Sequence, residues 1–227
     1  MEMQQASLPM RVPAAPPPAV ADIAFPEERP QTAGEELANS LSHGVGVVGG
    51  LAALPILIGH AGPEARTAVG VFAGTALILY STSALYHALP RGRTKAVVRF
   101  IEHNAIFLLI AGTYTPFTLI AMRGAWGLAP FCIVWGLTAV AVVRKAFEGV
   151  RWSAFTTVLC LVLGWGFLAC GRILPDAAFR YLVLGGMSYM MGLAFYAVDH
   201  RRRYCHFIWH LFVLAGTALH FIAIWLL

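Results

Sequence analysis

An apolar stretch beginning at residue 205 carries two histidines four positions apart, His206 and His210. On a helix an i, i+4 pair shares one face, with Cβ atoms about 5–6 Å apart, so both imidazoles can address one partner. His87 lies near the end of a second apolar stretch, and Glu102 lies near the start of a third. Two imidazoles from one helix, a third from another and a nearby carboxylate make a zinc set. Zinc takes imidazole nitrogen at about 2.0–2.1 Å and carboxylate oxygen at about 2.0–2.2 Å. His87, His206, His210 and Glu102 are therefore the candidate ligands of a Zn2+ ion. Three protein ligands leave a fourth position for water, the catalytic pattern. Zinc lowers the pKa of such a water to about 7, and Glu102 could hold it and take its proton. Taken alone, a His-x3-His pair in a membrane helix also reads as an interhelical hydrogen-bonding pair.

The elements that must position these groups are membrane helices. The chain has 227 residues, 59% hydrophobic and 12% charged, with a mean hydropathy of +0.70. A soluble domain carries about 25% charged residues, so a water-soluble globule is excluded. Six of the eleven acids lie in the first 36 residues, and seven of the thirteen prolines lie within 1–33, including Pro16-Pro17-Pro18. Residues 1–34 thus read as a disordered, proline-rich tail, and 35–227 as the membrane domain. The tail has no apolar run long enough for a secretory signal, so the first span is expected to serve as the uncleaved insertion signal.

The apolar runs are long and continuous and lack the alternation of barrel strands, which makes the fold all-α and polytopic. Seven transmembrane helices are expected at 38–60, 67–89, 98–121, 125–143, 152–172, 178–198 and 205–227. Turn formers and charges separate them: Gly62-Pro63, Pro90-Arg91-Gly92, Arg123-Gly124, Glu148-Gly149 and Leu174-Pro175-Asp176. Twelve of the sixteen Lys and Arg fall on one side of this arrangement. The N-terminus is therefore expected in the cytoplasm and the C-terminus outside, in a multi-pass protein of the cell (inner or plasma) membrane. The net charge of +5 is on this reading a topology signal, and no nucleic-acid partner is expected. Cys132, Cys160 and Cys170 read as small apolar residues, and a helix turns Cys205 about 100° away from His206.

Ionisable groups inside a bilayer are costly and by default mark function. His87 is expected about one helical turn, roughly 5 Å, inside the cytoplasmic end of its span. Glu102 and His103 fall at a similar depth, as do His206 and His210. The first span opens with Glu36, Asn39 and His43, which share a face and read either as a polar helix start or as outer groups that orient the metal ligands. Four spans thus place polar residues at one depth, forming a cluster and not a path across the membrane. His103 is expected to face elsewhere at the interface, and His60 and His200 to be surface groups. His220, about 15 Å deeper than His210, is expected to be a packing group. Pro116 should kink the third span, and Gly46-x3-Gly50 should allow close helix packing.

At these residues the chain resembles the hemolysin III family, which belongs with the progestin and adipoQ receptors. The markers are Glu36-x2-Asn39-x3-His43, Ser83-x3-His87, the 101–117 segment with Glu102-His103 and Gly112-Thr113-Tyr114-Thr115-Pro116, and His206-x3-His210. The resemblance implies a seven-helix fold with the N-terminus inside and a zinc ion near the cytoplasmic surface, held by His87, His206 and His210. The family has an aspartate facing the metal, commonly through a water. Glu102 stands at the matching position, one methylene longer, which leaves direct and water-mediated contact both open. The adiponectin-receptor branch is linked to ceramide hydrolysis, and the wider superfamily contains alkaline ceramidases.

Three functions compete. The first is a zinc-dependent intramembrane hydrolase of a lipid amide or ester, with a membrane lipid as substrate, Glu102 as general base and Ser83, one turn before His87, orienting a ligand or the water. The second is a receptor or membrane-state sensor with a structural zinc. The third is a hemolysin-type cytolytic protein, against which stands the lack of a continuous polar route along any set of spans.

Overall fold

A computed structural model describes residues 29–122, 124–148, 154–166 and 173–227. The tail as far as residue 28, Arg123, Trp152 and Cys170 lie outside the described residues. Among the described residues seven α-helices follow in order: α1 (Ala33–His60), α2 (Arg66–Ala88), α3 (Arg93–Pro116), α4 (Gly124–Glu148), α5 (Ala154–Trp165), α6 (Asp176–Tyr196) and α7 (Cys205–Trp225). There is no strand among the described residues. Each expected span falls on one of these helices. For 152–172, however, only 154–166 is described.

Local chemistry explains the ends. α1 starts several residues before the expected 38 because Thr32 and Glu35 form a reciprocal capping box, each side chain meeting the other's backbone N–H. Pro116 ends α3 by removing an N–H, and the chain continues through a π-helical turn, Phe117–Met122. Thr115 and Thr118 hydroxyls donate back to the carbonyls of Ala111 and Tyr114 there.

α3 also begins earlier than the expected 98, at Arg93, so Lys95 lies on the helix, where it and Arg99 are buried. The burial of Lys95 is offset by charge and hydrogen bonding: its Nζ donates to Glu36 Oε1 at 2.8 Å and to Leu89 O at 3.1 Å.

The bundle is built on neighbouring pairs. α1 packs between α2 and α7, α2 against α3, α3 against α4, and α6 against α7. Burial is inverted relative to a soluble protein. Leu37, Leu41, Val45 and Val48 form an exposed apolar stripe on α1, whereas Asn39, Ser42 and His43 on its opposite face are buried. Apolar solvent on the outside and polar contacts inside are what a bilayer imposes. α1, α2, α3 with its π turn, α4 and α7 are each long and apolar enough to cross a membrane. Gly46 lets α1 sit deep between its neighbours. A Cβ there would lie 2.7 Å from Leu214 Cδ2 on α7 and 2.9 Å from Tyr80 Cγ on α2.

Candidate metal centre

The position of α1 decides the site. Its residues 36, 39, 42 and 43 recur at helical spacing on one face, and that face is wedged between the last turn of α2 and the first turns of α7. His87 comes from α2, and His206 and His210 from α7. One ring nitrogen from each lies within 4.8 Å of the other two, and the three residues form a group able to hold a metal ion. His87 and His210 are buried and His206 is partly buried.

The hydrogen bonds set the tautomers. His87 Nδ1 lies 2.7 Å from Glu36 Oε2 and His206 Nδ1 lies 2.9 Å from Asp199 Oδ2. An ionised carboxylate only accepts, so both Nδ1 atoms carry the proton. Ser42 Oγ donates to Asn39 O at 2.8 Å, which leaves its lone pairs for His210 Nδ1 at 3.0 Å. His210 Nδ1 also meets Asn39 O at 3.3 Å. All three rings therefore donate from Nδ1 to oxygen and keep a bare lone pair on Nε2. All three Nε2 atoms are buried without a hydrogen-bond partner. Buried polar atoms without partners are rare, and three converging lone pairs repel unless a cation joins them. Oxygen acceptors on the far nitrogen are how proteins orient metal-binding histidines. The donor set thus fits a metal ion.

The other expected residues gather around this triad in different ways. Glu36 bridges His87 and Lys95, and Asn39 places its carbonyl against His210. Asn39 Nδ2 also donates to Gln31 Oε1. Ser83 is wholly buried on the His87 face of α2, and its Oγ has no hydrogen-bond partner. His43 stacks on His210, with ring centroids 3.7 Å apart and planes at 10°. It forms no hydrogen bond to any ligand.

Glu102 stands beside the triad, with its Oε2 2.9 Å from His103 Nδ1. His103, expected at the interface and facing elsewhere, is buried, because its Nδ1 also meets Arg99 O at 2.9 Å one turn back and turns the ring toward its neighbour. Glu102, His206, Asp199 and Gln31 line a polar cavity of about 40 Å³, room for two or three waters by volume. A second cavity of about 160 Å³, almost wholly apolar, runs from His43 past Leu79, Leu109 and Val213 toward Phe117 and His220. His220 is buried, with its Nε2 donating to Leu182 O at 3.1 Å, as a packing group should be.

Sequence reading missed Asp199, Ser42 and Glu35. Glu35 is buried and clasps three segments. It pairs with both terminal guanidinium nitrogens of Arg29, at 3.0 and 2.5 Å, accepts from Thr32, and accepts from the Tyr204 N–H at 2.9 Å. Tyr204, the residue before α7, has φ 60°, a left-handed conformation that costs a non-glycine residue about 1–2 kcal/mol. The Glu35 bond holds it there. A faint signal existed for Asp199, an acid seven positions before His206 across a short turn.

Comparison with known proteins agrees with this architecture. A family profile described as "Haemolysin-III related" matches residues 31–221. The chain is 36% identical over 198 residues to a protein named Hemolysin-3 homolog from Bacillus subtilis (strain 168), covering 84% of this chain and 92% of that protein. It is 34% identical over 198 residues to Hemolysin-3 of Bacillus cereus, covering 84% and 90%. It is also similar, at 24% identity over 155 residues, to the Homo sapiens monocyte to macrophage differentiation factor, covering 65% of this chain and 64% of that one. The resemblance carried by the four motifs therefore extends across the helical body, and the chain belongs to the hemolysin III family of membrane proteins.

Proposed function

We propose that this protein is a zinc-dependent intramembrane hydrolase of a lipid amide or ester. The observation that carries the reading is the set of three oriented imidazoles, each with a buried, unpartnered Nε2, placed between a polar cavity and an apolar one. His87, His206 and His210 would hold the ion, and nitrogen donors of this kind suit zinc. Bound there, zinc would polarise a carbonyl and acidify a water. Glu102 faces the polar cavity together with His206, which has room for a water between the carboxylate and a bound ion. Its carboxylate would take the proton of such a water as general base, while His103 holds the carboxylate in place at 2.9 Å. Ser83, on the His87 face, orients the water or the carbonyl. The apolar cavity receives a lipid chain, and its wall excludes bulk water from the reacting end.

On this reading seven spans cross the membrane, with the N-terminus and residues 1–34 in the cytoplasm, the C-terminus outside and 35–227 as the membrane domain. The Lys and Arg distribution supports this orientation. On this reading the metal lies within the cell membrane, just beneath the headgroups of its inner leaflet.

A receptor or membrane-state sensor with a structural zinc draws on the same ligand set, because the ion would tie α2 to α7 across α1. Glu102→Ala separates the two readings. Purified, zinc-loaded protein is assayed against a panel of lipid amides and esters. The hydrolase reading expects hydrolysis by the unaltered chain and its loss in the variant, with zinc retained. Stoichiometric zinc in the unaltered chain together with no hydrolysis across the panel rejects it. Conductance across planar bilayers would favour the cytolytic alternative.

A further inference from the structure

His43 differs from the other imidazoles of the centre. Each ligand histidine uses Nδ1 on an oxygen acceptor, whereas neither nitrogen of His43 has a hydrogen-bond partner. Its side chain is nearly sealed from solvent, at 1% exposure. It cannot serve as a fourth ligand beside His210. A metal lies in the plane of each imidazole that binds it, and two near-parallel rings with centroids 3.7 Å apart have no nearby point common to both planes. The tilted contact with Tyr80, at 5.1 Å, gives the ring packing but no hydrogen bond.

An imidazole in any protonation state of physiological pH carries at least one N–H. Folded proteins seldom bury such a donor without a partner, because its lost hydration is then uncompensated. The missing acceptor therefore comes from outside the chain. The direction of approach is also given: His43 lines the apolar cavity, and its ring stacks on His210 of the triad. A molecule whose tail fills that cavity brings its polar head to His43 and to the three Nε2 atoms together.

Resting on the hydrolase reading above, we infer that His43 is a substrate-contacting residue, which donates a ring N–H to the carbonyl oxygen of a lipid amide or ester whose chain lies in the cavity. Stacking on His210 fixes the donor relative to the metal, so the carbonyl is held by the ring and presented to the ion in one pose.

The test uses the full-length protein in detergent, loaded with zinc, and a long-chain alkyl hydroxamate as probe, since its head carries a carbonyl and chelates zinc while its tail fits the cavity. Three forms are compared: unaltered, His43→Phe and His43→Gln. Phenylalanine keeps the stacked ring and removes the nitrogens, and glutamine restores an N–H. Metal content is read by mass spectrometry and probe affinity by titration calorimetry. We expect equal zinc in all three, a loss of about tenfold in probe affinity for His43→Phe, and recovery of most of it in His43→Gln. Unchanged affinity in His43→Phe overturns the inference and leaves the hydrolase reading intact, as does loss of zinc in that variant. An unaltered chain that binds zinc but not the hydroxamate, or binds no zinc, brings down the hydrolase reading itself and the inference with it.

Discussion

Asp199 Oδ2 lies 2.9 Å from His206 Nδ1, across the turn that joins α6 to α7. The carboxylate fixes both the tautomer and the rotation of the ring. Removing an orienting partner of a metal-bound histidine typically costs about 10–100-fold in metal affinity. Asp199→Ala is expected to lose that much, measured by competition with a chromophoric chelator, and Asp199→Asn less, because one acceptor oxygen remains. Equal affinities in all three forms would show that the contact orients nothing.

Replacing His87, His206 or His210 singly with alanine should reduce bound zinc from about one ion per chain to near none. Metal removal should also lower thermal stability. A ligand that binds only the folded state stabilises it by about 2.7 kcal/mol at a hundred times its dissociation constant. A chelator titration followed by melting in detergent checks this, and an unchanged melting temperature would show that the ion ties no helices together.

Glu36 is shared between His87, at 2.7 Å, and Lys95, at 2.8 Å. Glu36→Gln should weaken zinc binding by about tenfold or more. Lys95→Met leaves the His87 contact in place and should have a smaller effect on zinc. The reverse order in a chelator assay would mean that Lys95, and not Glu36, governs the ring.

Gly46 and Gly44 form a controlled pair on α1. A Cβ at Gly46 meets Leu214 and Tyr80 within 3.0 Å, whereas one at Gly44 meets nothing within 4 Å. Gly46→Ala should destabilise by about 1–3 kcal/mol through overpacking. Gly44→Ala should be neutral or slightly stabilising, since alanine is the better helix former by about 1 kcal/mol. Unfolding in detergent compares them, and a neutral Gly46→Ala would mean that α1 can shift outward.

The helices and the three histidines were legible in the sequence because each has a local signature. Long apolar runs mark the spans, i, i+4 spacing marks the pair on α7, and membrane depth brings His87 to the same level. What escaped reading was joined across distant segments. Ser42 gains its role only because α1 lies against α7, and Asp199 only because a short turn folds it back on His206. Lys95 fell outside the expected span because nothing local reveals the Glu36 carboxylate that receives it from another helix. His103 looked interfacial because neighbouring helical residues normally diverge. The bond from its ring to Arg99 O, one turn back, overrides that expectation.

The Glu35–Tyr204 bond joins positions 169 residues apart. It ties the start of α1 to the residue that precedes α7. Without α7, the side of α1 that carries Ser42 and His43 keeps its contacts with α2 but loses His210, against which both lie, and the group of three histidines is reduced to His87. On the metal-site reading, a cation would find its full set of imidazoles only once α7 is in place, and a chain truncated before α7 would reach the bilayer with part of a polar seam uncovered, a mark by which quality-control proteases could recognise it.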